Sequence, residues 1–557
     1  MRQCTQYIFA VVTFLGLAVN AQAQDDIILK AMKDEMARSM EDLRIDGKEK
    51  PFYIAYGVQD FKIFSTFATL GALLRSSEDA SRGKSVRVLA GSYKFNDESM
   101  DNDLFSDPGA IDIEMPITDD YYGVRRALWA STDAVYKGAA RKFQRHQQTL
   151  REKNQTLESI PHRTFAMVKP VTKTETKMFV PVASSQWDEY VKILSAIFKD
   201  YPEIANSNAS INFIYGHQYF ANSEGTTLKL PYQVAILQVN AQIKNENGEA
   251  GFDQIVRYAR TIEELPSVKQ MEKEVKSMTE RLIASMQKPV LDEAYNGPVL
   301  FSGRAVAEIF QALLFNDREG LIASNTIQTP NEYRPEISAA LDNKIGKSII
   351  DPSITVVAQP VLSTFQGEHL LGHFQVDSEG VVPPDELVLI DKGILRELLN
   401  DRTITDSSQR ANGHADGPGV IKISSDNTVE RTQMKQRLID LVASEGLEYG
   451  LLVDDDLGGR MGVANVYKVY PDGREELYRY ARISRLSIRS LRKIETVSNT
   501  TEVHHLQAGN TQICSFIVPD AILINDMDFE PLRMPFFKDE SYVASPLKKS
   551  VQSDSRN

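Results

Sequence analysis

The segment VYKVYPDGREELYRYARI, residues 466–483, decides the fold class of its half of the chain. Valine and tyrosine dominate 466–470, side chains that fit a pleated, half-buried surface. Pro471-Asp472-Gly473 then has the composition of a tight turn: proline presets φ, aspartate bonds its own backbone, and glycine takes a positive φ at no steric cost. Residues 475–483 return as a second strand. The spacing predicts a β-hairpin.

Moving outward, the chain keeps this character from about residue 350 onward, with short strands and turns such as 387–390 followed by Asp391-Lys392-Gly393. The N-terminal half reads differently. Ile28, Met32, Met36, Met40 and Leu43 recur at helical spacing across 26–45, and 52–58 and 84–89 read as strands. A long helix is expected over 121–142 with Leu128, Trp129 and Tyr136 inward, after an acidic, loop-like 96–116. Residues 144–160 read as a solvated helix or linker, and Trp187 to Phe198 as an amphipathic helix closed by Pro202. Strands are expected at 211–219, 226–230 and 232–243. A helix over 263–286 carries a Val268, Met271, Val275, Met278 and Leu282 stripe that belongs in a core, and a short helix covers 303–315. The fold class is α+β: an N-terminal α/β domain followed by a largely antiparallel β C-terminal domain. The divisions are 24–290 and 291–545, with a polar tail at 546–557.

The chain has 557 residues, 42% hydrophobic and 25% charged. These proportions exclude whole-chain disorder, collagen and coiled coil. A net charge of −13 argues against a general nucleic-acid binder, which needs a basic face for phosphates. Residues 1–23 read as a secretory signal: Arg2, an apolar run at 7–19 too short to span a bilayer, and Ala21-Gln22-Ala23 as the cleavage site. The mature chain is then exported, periplasmic or extracellular, begins at Gln24 and has no membrane span. Cys4 leaves with the signal, and Cys514 remains, excluding an intramolecular disulfide and four-cysteine zinc sites. Its ordinary role is a small buried hydrophobe.

Sequence motifs for chemistry are sparse. There is no G-x-x-x-x-G-K-[ST], no G-x-S-x-G and no H-E-x-x-H. His369 and His373 lie four apart, the spacing that lets a helix offer two imidazoles to zinc. Leu370 supplies no base, however, and Gly367 and Gly372 oppose a helix, so a strand or loop is expected. The adjacent His504 and His505 diverge in either a strand or a helix, and Asp454-Asp455-Asp456 lacks the alternating spacing of a calcium loop.

Five fragments in order resemble the TldD/PmbA family, metallopeptidases once described as modulators of DNA gyrase. Asn222-Ser223-Glu224-Gly225-Thr226 looks like its NSEGT turn, and Gly297-Pro298-Val299-Leu300-Phe301 with the following helix looks like its GPVLF strand-helix unit. Residues 377–399 resemble its DDEGV…GVL stretch, Asn412-Gly413-His414 its SNGH, and 521–529 its closing strand. Active members carry H-E-x-x-x-H on that helix, and a C-terminal cysteine completes a zinc site whose glutamate polarises water. Here Glu308 falls on the glutamate, while Ala307 and Ala312 fall on the histidines. A methyl group has no lone pair to donate, so the resemblance implies a pseudoenzyme without its own metal. Such a chain is PmbA-like (TldE-like), a subunit that helps form a peptide-binding or peptide-cleaving chamber. Its partners would be an exported TldD-like paralog or a second copy of itself, together with an unfolded peptide. Zinc enters only if a paralog supplies it or the ligands are relocated. Two alternatives stay open: a stand-alone exported peptide-binding protein, and a zinc peptidase using His369, His373 and Cys514 with Glu308 as base.

Overall fold

Asp26 opens the first helix by accepting the Leu29 N–H at 3.1 Å, and Ile28, Leu29, Met32 and Met36 turn inward from it. The structure, a computed structural model, describes residues 26–100, 113–160, 162–244, 250–315, 320–323, 341–405, 407, 409–454, 463–484, 487–508 and 512–532. The expected signal at 1–23, Cys4, the tail at 546–557, Asp455 and Asp456 lie outside the described residues.

The N-terminal elements are α1 (Ile27–Asp42), β1 (Pro51–Thr69), β2 (Ala72–Ala90), α2 (Tyr121–Glu152), β3 (Thr172–Thr174), α3 (Ser184–Ala196), β4 (Ile204–Asn222), β5 (Thr227–Lys244), β6 (Ala250–Ala259) and α4 (Val268–Ser285). Among the described residues, β2, β1, β4 and β5 pair in that order, and both β6 and β3 join β5. All these pairings are antiparallel except that of β3. Residues of one parity face the helices. Tyr56 and Val58 of β1 pack with α1 and α2, while Phe64 of β1 and Phe213 of β4 pack with α3 and α4. One face of the sheet is thus covered and the other is left to other uses.

Two expectations are corrected here. Trp129 is 47% exposed, because the inward line of α2 runs through Val124, Leu128, Thr132 and Tyr136, and one further residue turns the side chain about 100° away. The strands expected at 226–230 and 232–243 are one strand, β5, running through Pro231. Pro231 falls between the β3 pairing, which ends at Lys229, and the β6 pairing, which begins at Ala235, so no described strand flanks it on that side, while β4 pairs it with His217 on the other.

The C-terminal elements are β7 (Tyr295–Ser302), α5 (Arg304–Leu314), β8 (Ile354–Ala358), β9 (Thr364–Phe365), β10 (Glu368–His369), β11 (Leu387–Asp391), β12 (Ile394–Leu395), β13 (Val420–Ser425), β14 (Thr428–Val429), α6 (Met434–Ser444), β15 (Gly450–Asp454), β16 (Val463–Val469), β17 (Glu475–Ile483), β18 (Ile494–Ser498), β19 (Thr501–Ala508), β20 (Gln512–Pro519) and β21 (Ala521–Pro531). The 466–483 hairpin forms as expected: β16 and β17 are antiparallel, Gly473 has φ +85°, and Asp472 accepts the Arg474 N–H at 2.9 Å. Strands β7, β15, β16, β17 and β21 close on themselves, because β21 pairs with both β17 and β7. A second sheet runs β12, β11, β8, β13, β20, β19. The apolar core of this half contains Val299 and Phe301 of β7, Ile309 and Phe310 of α5, Val356 of β8 and Phe516 of β20, so α5 is enclosed with both sheets. The architecture is α+β, with helices on the first sheet and mostly antiparallel strands after it. Among the described residues no helix is long and apolar enough to cross a membrane.

Candidate functional site

Helix α5 is the station where the resemblance would place a metal. Strand β7 delivers the chain through Gly303, whose N–H donates to Asp520 O at 2.8 Å, and α5 then lies against β19 and β20. Ala307 is fully buried in the apolar core, and Ala312 is only partly covered. Cys514 belongs to the same core cluster, on the same face of β20 as Phe516 and Val518. Burial pushes its thiol up to about 12, the opposite of what a thiolate ligand requires. Two methyl groups and one protonated thiol do not make a zinc donor set. Glu308 accepts a hydrogen bond from Arg304 Nε at 2.8 Å, one turn earlier on the same helix.

The relocated set is not brought together. Ser515, the neighbour of Cys514, faces the other side of β20, where its Oγ accepts the Gly372 N–H at 2.9 Å and meets His505 Nδ1 at 3.0 Å. The 369–373 segment therefore packs on the face of β20 away from Cys514. His369 is exposed in the two-residue strand β10, whereas His373 is half-buried and its pKa is lowered by desolvation. No helix spans the pair. His504 and His505 sit on successive positions of β19 and point to opposite faces, as expected. Among the described residues, no three His, Cys, Asp or Glu side chains gather closely enough to hold a metal ion.

What the family-like turns do build is a largely buried seam of charge between the two halves. Glu224, from the 222–226 turn after β4, accepts Arg402 Nη1 at 2.7 Å and Nη2 at 2.8 Å, and also the Tyr93 hydroxyl at 2.7 Å. Arg402 has no exposed surface; its guanidinium lies 4.2 Å over the Phe165 ring and donates to Ala166 O. Glu379, from the 377–380 turn, accepts the Arg402 backbone N–H at 2.7 Å and pairs with Arg87 of β2, which also holds Glu98. Gly380 fits only as glycine: its φ is +79°, and a Cβ there would lie 2.9 Å from Thr226 Cγ2.

Three buried acids, Asp97, Asp377 and Asp401, lie next to members of this seam. Asp377 accepts the Glu379 and Val381 N–H groups at 3.0 and 2.8 Å, shaping its own turn, and the Ala415 N–H at 3.1 Å ties in the 412–414 turn. Burial pushes Asp377 up to about 7. Asp401 rises to about 7 through burial and the nearby Glu379 charge, and Asp97 to about 7 through burial and Glu98. His414 is held down to about 4 by burial, its Nδ1 against Asn412 O at 2.9 Å. The pairing of Glu224, Glu379, Arg87 and Arg402 is mutual, and the arginines stack on aromatic rings, an arrangement suited to fixing two units together.

Sequence reasoning singled out Glu224, Glu379 and His414 inside their turns but missed Arg87, Asp97, Asp401 and Arg402. A buried arginine carries no local signature: its partners are 178 and 23 positions away. A usable signal was the Asp401-Arg402 pair one residue after the apolar Leu398 and Leu399, where a charge has to be buried or exposed at some cost.

Residues 295–530 match the family model described as the PmbA/TldA metallopeptidase C-terminal domain. Among curated proteins, none matches the chain. Among solved structures, a protein described as a candidate modulator of a DNA gyrase from Thermotoga maritima superposes with a TM-score of 0.57 at 14% identity, covering 90% of this chain and 99% of that one. A candidate modulator of DNA gyrase from Bacteroides thetaiotaomicron gives 0.54 at 11% identity, over 91% and 98%. TldE from Thermococcus kodakarensis gives 0.50 at 14% identity, over 90% and 99%. At such identities the likeness is one of fold.

Proposed function

Since this chain belongs to the TldD/PmbA family, whose C-terminal domain its residues 295–530 match, we propose that it is a metallopeptidase-related subunit lacking a zinc site of its own, which helps to form a peptide-binding chamber. The observation that carries the reading is α5. Ala307 and Ala312 occupy the positions where the family's active members have zinc-binding histidines, and Ala307 is sealed in an apolar core. A catalytic zinc needs three protein ligands and an open position for water, and at most one sulfur is offered here. With no metal held by this chain, Glu308, bonded to Arg304, would have no activated water to act on.

In this reading catalysis belongs to an exported paralog with an intact H-E-x-x-x-H, and this chain supplies one wall of the chamber. Export rests on Arg2, the apolar run at 7–19 and Ala21-Gln22-Ala23, and N-terminal sequencing of the protein recovered outside the cytoplasm is expected to begin at Gln24. The functional test is elemental analysis of the purified chain beside a peptide-hydrolysis assay with and without EDTA. Substoichiometric zinc and no chelator-sensitive cleavage are expected, with cleavage appearing when the paralog is added. One zinc per chain together with EDTA-sensitive cleavage by the chain alone would end this reading.

A further inference from the structure

The face of the N-terminal sheet turned away from its four helices carries an unusual surface. On β4 the outward positions are Asn208, Ser210 and Asn212, and on β5 they are Gln238 and Asn240. Register places them in rows across the strands: Ser65 beside Asn212, Phe67 beside Ser210 and then Gln238, and Asn208 beside Asn240 and then Gln254 of β6. Together they line a groove of 520 Å³.

The amides in it are held in place by one another. Ser65 Oγ donates to Asn212 Oδ1 at 2.8 Å, Asn240 Nδ2 to Asn208 Oδ1 at 3.0 Å, and Gln238 Nε2 to Asn240 Oδ1 at 3.0 Å. These bonds engage both functions of Asn240 and one function each of Asn208, Asn212 and Gln238. The Nδ2 groups of Asn208 and Asn212 remain as donors, and Gln238 Oε1 as an acceptor. The rim adds two rings. Phe67 lies within the groove, and Phe252, 56% exposed, stands beside Gln242 in the row next to Asn240 and Gln254. Arg75, paired with Phe67 in register, is the charged side chain among the groove's lining residues.

We propose that this face is a carbohydrate-binding site, for an oligosaccharide chain bearing carboxylate or sulfate groups. Small-molecule pockets are mostly apolar with a few polar groups, and this groove inverts that composition, so its ligand has to be polar over its whole length. Sugar hydroxyls donate and accept at every position, as preoriented amides do. Aromatic rings at the rim offer apolar faces to the C–H side of a sugar ring. Neighbouring strands are about 4.8 Å apart, close to the width of one pyranose, so a chain laid across the strands meets a fresh amide on each. Arg75 favours an acidic residue in that chain. A peptide is disfavoured in the groove itself: β1, β4 and β5 are paired along both sides through this region, so among the described residues the nearest open strand edge is that of β6, beside Phe252 and Gln254 and outside the groove's lining. Nucleic acid would require a basic array, and one arginine does not make one.

The site lies outside residues 295–530 and does not depend on the chamber reading. The test is titration calorimetry of the full exported chain with hexagalacturonate, chitohexaose and a glycine-serine hexapeptide. Hexagalacturonate is expected to bind more tightly than chitohexaose, and the peptide not to bind. Phe252→Ala and Asn212→Ala, both at exposed positions, should each weaken hexagalacturonate about tenfold at an unchanged melting temperature. Arg75→Ala should remove the preference for the acidic chain. The proposal is overturned if neither oligosaccharide binds, if the peptide binds with the same sensitivity to these variants, or if both variants leave affinity within about twofold of the parent.

Discussion

Arg402 shows what a single side chain can be asked to do. It is fully buried, bidentate to Glu224 and stacked on Phe165, and its backbone N–H is bonded to Glu379. Removing one member of such a pair leaves the other charge desolvated and unopposed. Arg402→Ala is therefore expected to lower stability by about 3–5 kcal/mol, measured by urea unfolding. The double variant Arg402→Met with Glu224→Leu should recover a substantial part of that loss, because it removes both charges at similar volume. Glu308 is the contrasting case. Its Arg304 bond is an i, i+4 helix pair with the arginine first, the less favourable order, so that bond contributes about 0.3–0.5 kcal/mol. A small change is expected in the unfolding midpoint of Glu308→Ala, with zinc content unaltered in elemental analysis.

At the scale of elements, turns divide into those that only reverse the chain and those that also lock onto a neighbour. Gly473 closes the β16–β17 hairpin with φ +85°, and a Cβ there would meet no atom within 4 Å. Gly473→Ala should cost the backbone term alone, about 1–2 kcal/mol. Gly380 has a similar φ of +79°, but its Cβ would lie 2.9 Å from Thr226 Cγ2 and 3.0 Å from Phe220 Cε1. Gly380→Ala should lose the same backbone term and about 1–3 kcal/mol more for the forced shift. Thermal unfolding of the two variants side by side checks the difference. An equal loss in both would mean that the 377–380 turn is not pressed against the 222–226 turn.

For the whole molecule, the seam makes stability depend on pH. Asp97, Asp377 and Asp401 are each raised from an ordinary 3.8 to about 7, chiefly by burial. Folded protein therefore holds protons that unfolded chain has released between about pH 4 and pH 7. The contribution of these groups is full below the lower value and is lost as the pH rises through the upper one. His414 acts with the opposite sign: its pKa is lowered to about 4, so acidification below about 6.5 favours the unfolded chain at that one position. His217 and His373 are lowered as well, and Asp416 is raised like the other carboxyls; the large shifts of the three carboxyls outweigh the imidazoles, and urea unfolding should show lower stability at about pH 8 than at about pH 5.5. Asp97→Asn should flatten that slope, and an unchanged slope would show that Asp97 is ionised in the folded protein at both values.

Features set by neighbouring residues were legible before the fold was known. Pro471-Asp472-Gly473 between β-rich runs required a hairpin, and the methionine stripe of α4 required a buried helical face, because turn dihedrals and 3.6-residue periodicity are properties of neighbouring residues. That Ala307 and Ala312 can donate no lone pair is likewise a property of the residues themselves. Other features needed the fold. Trp129 shares its composition with inward aromatic residues, and only the position of the sheet against α2 decides which side of the helix is wet. The Glu224–Arg402–Glu379–Arg87 seam joins residues up to 315 positions apart, and burial turned those turn and strand charges into a joint. The separation of Cys514 from His373 depends on the parity of β20, which sends successive side chains to opposite faces and leaves thiol and imidazole on different sides of one strand.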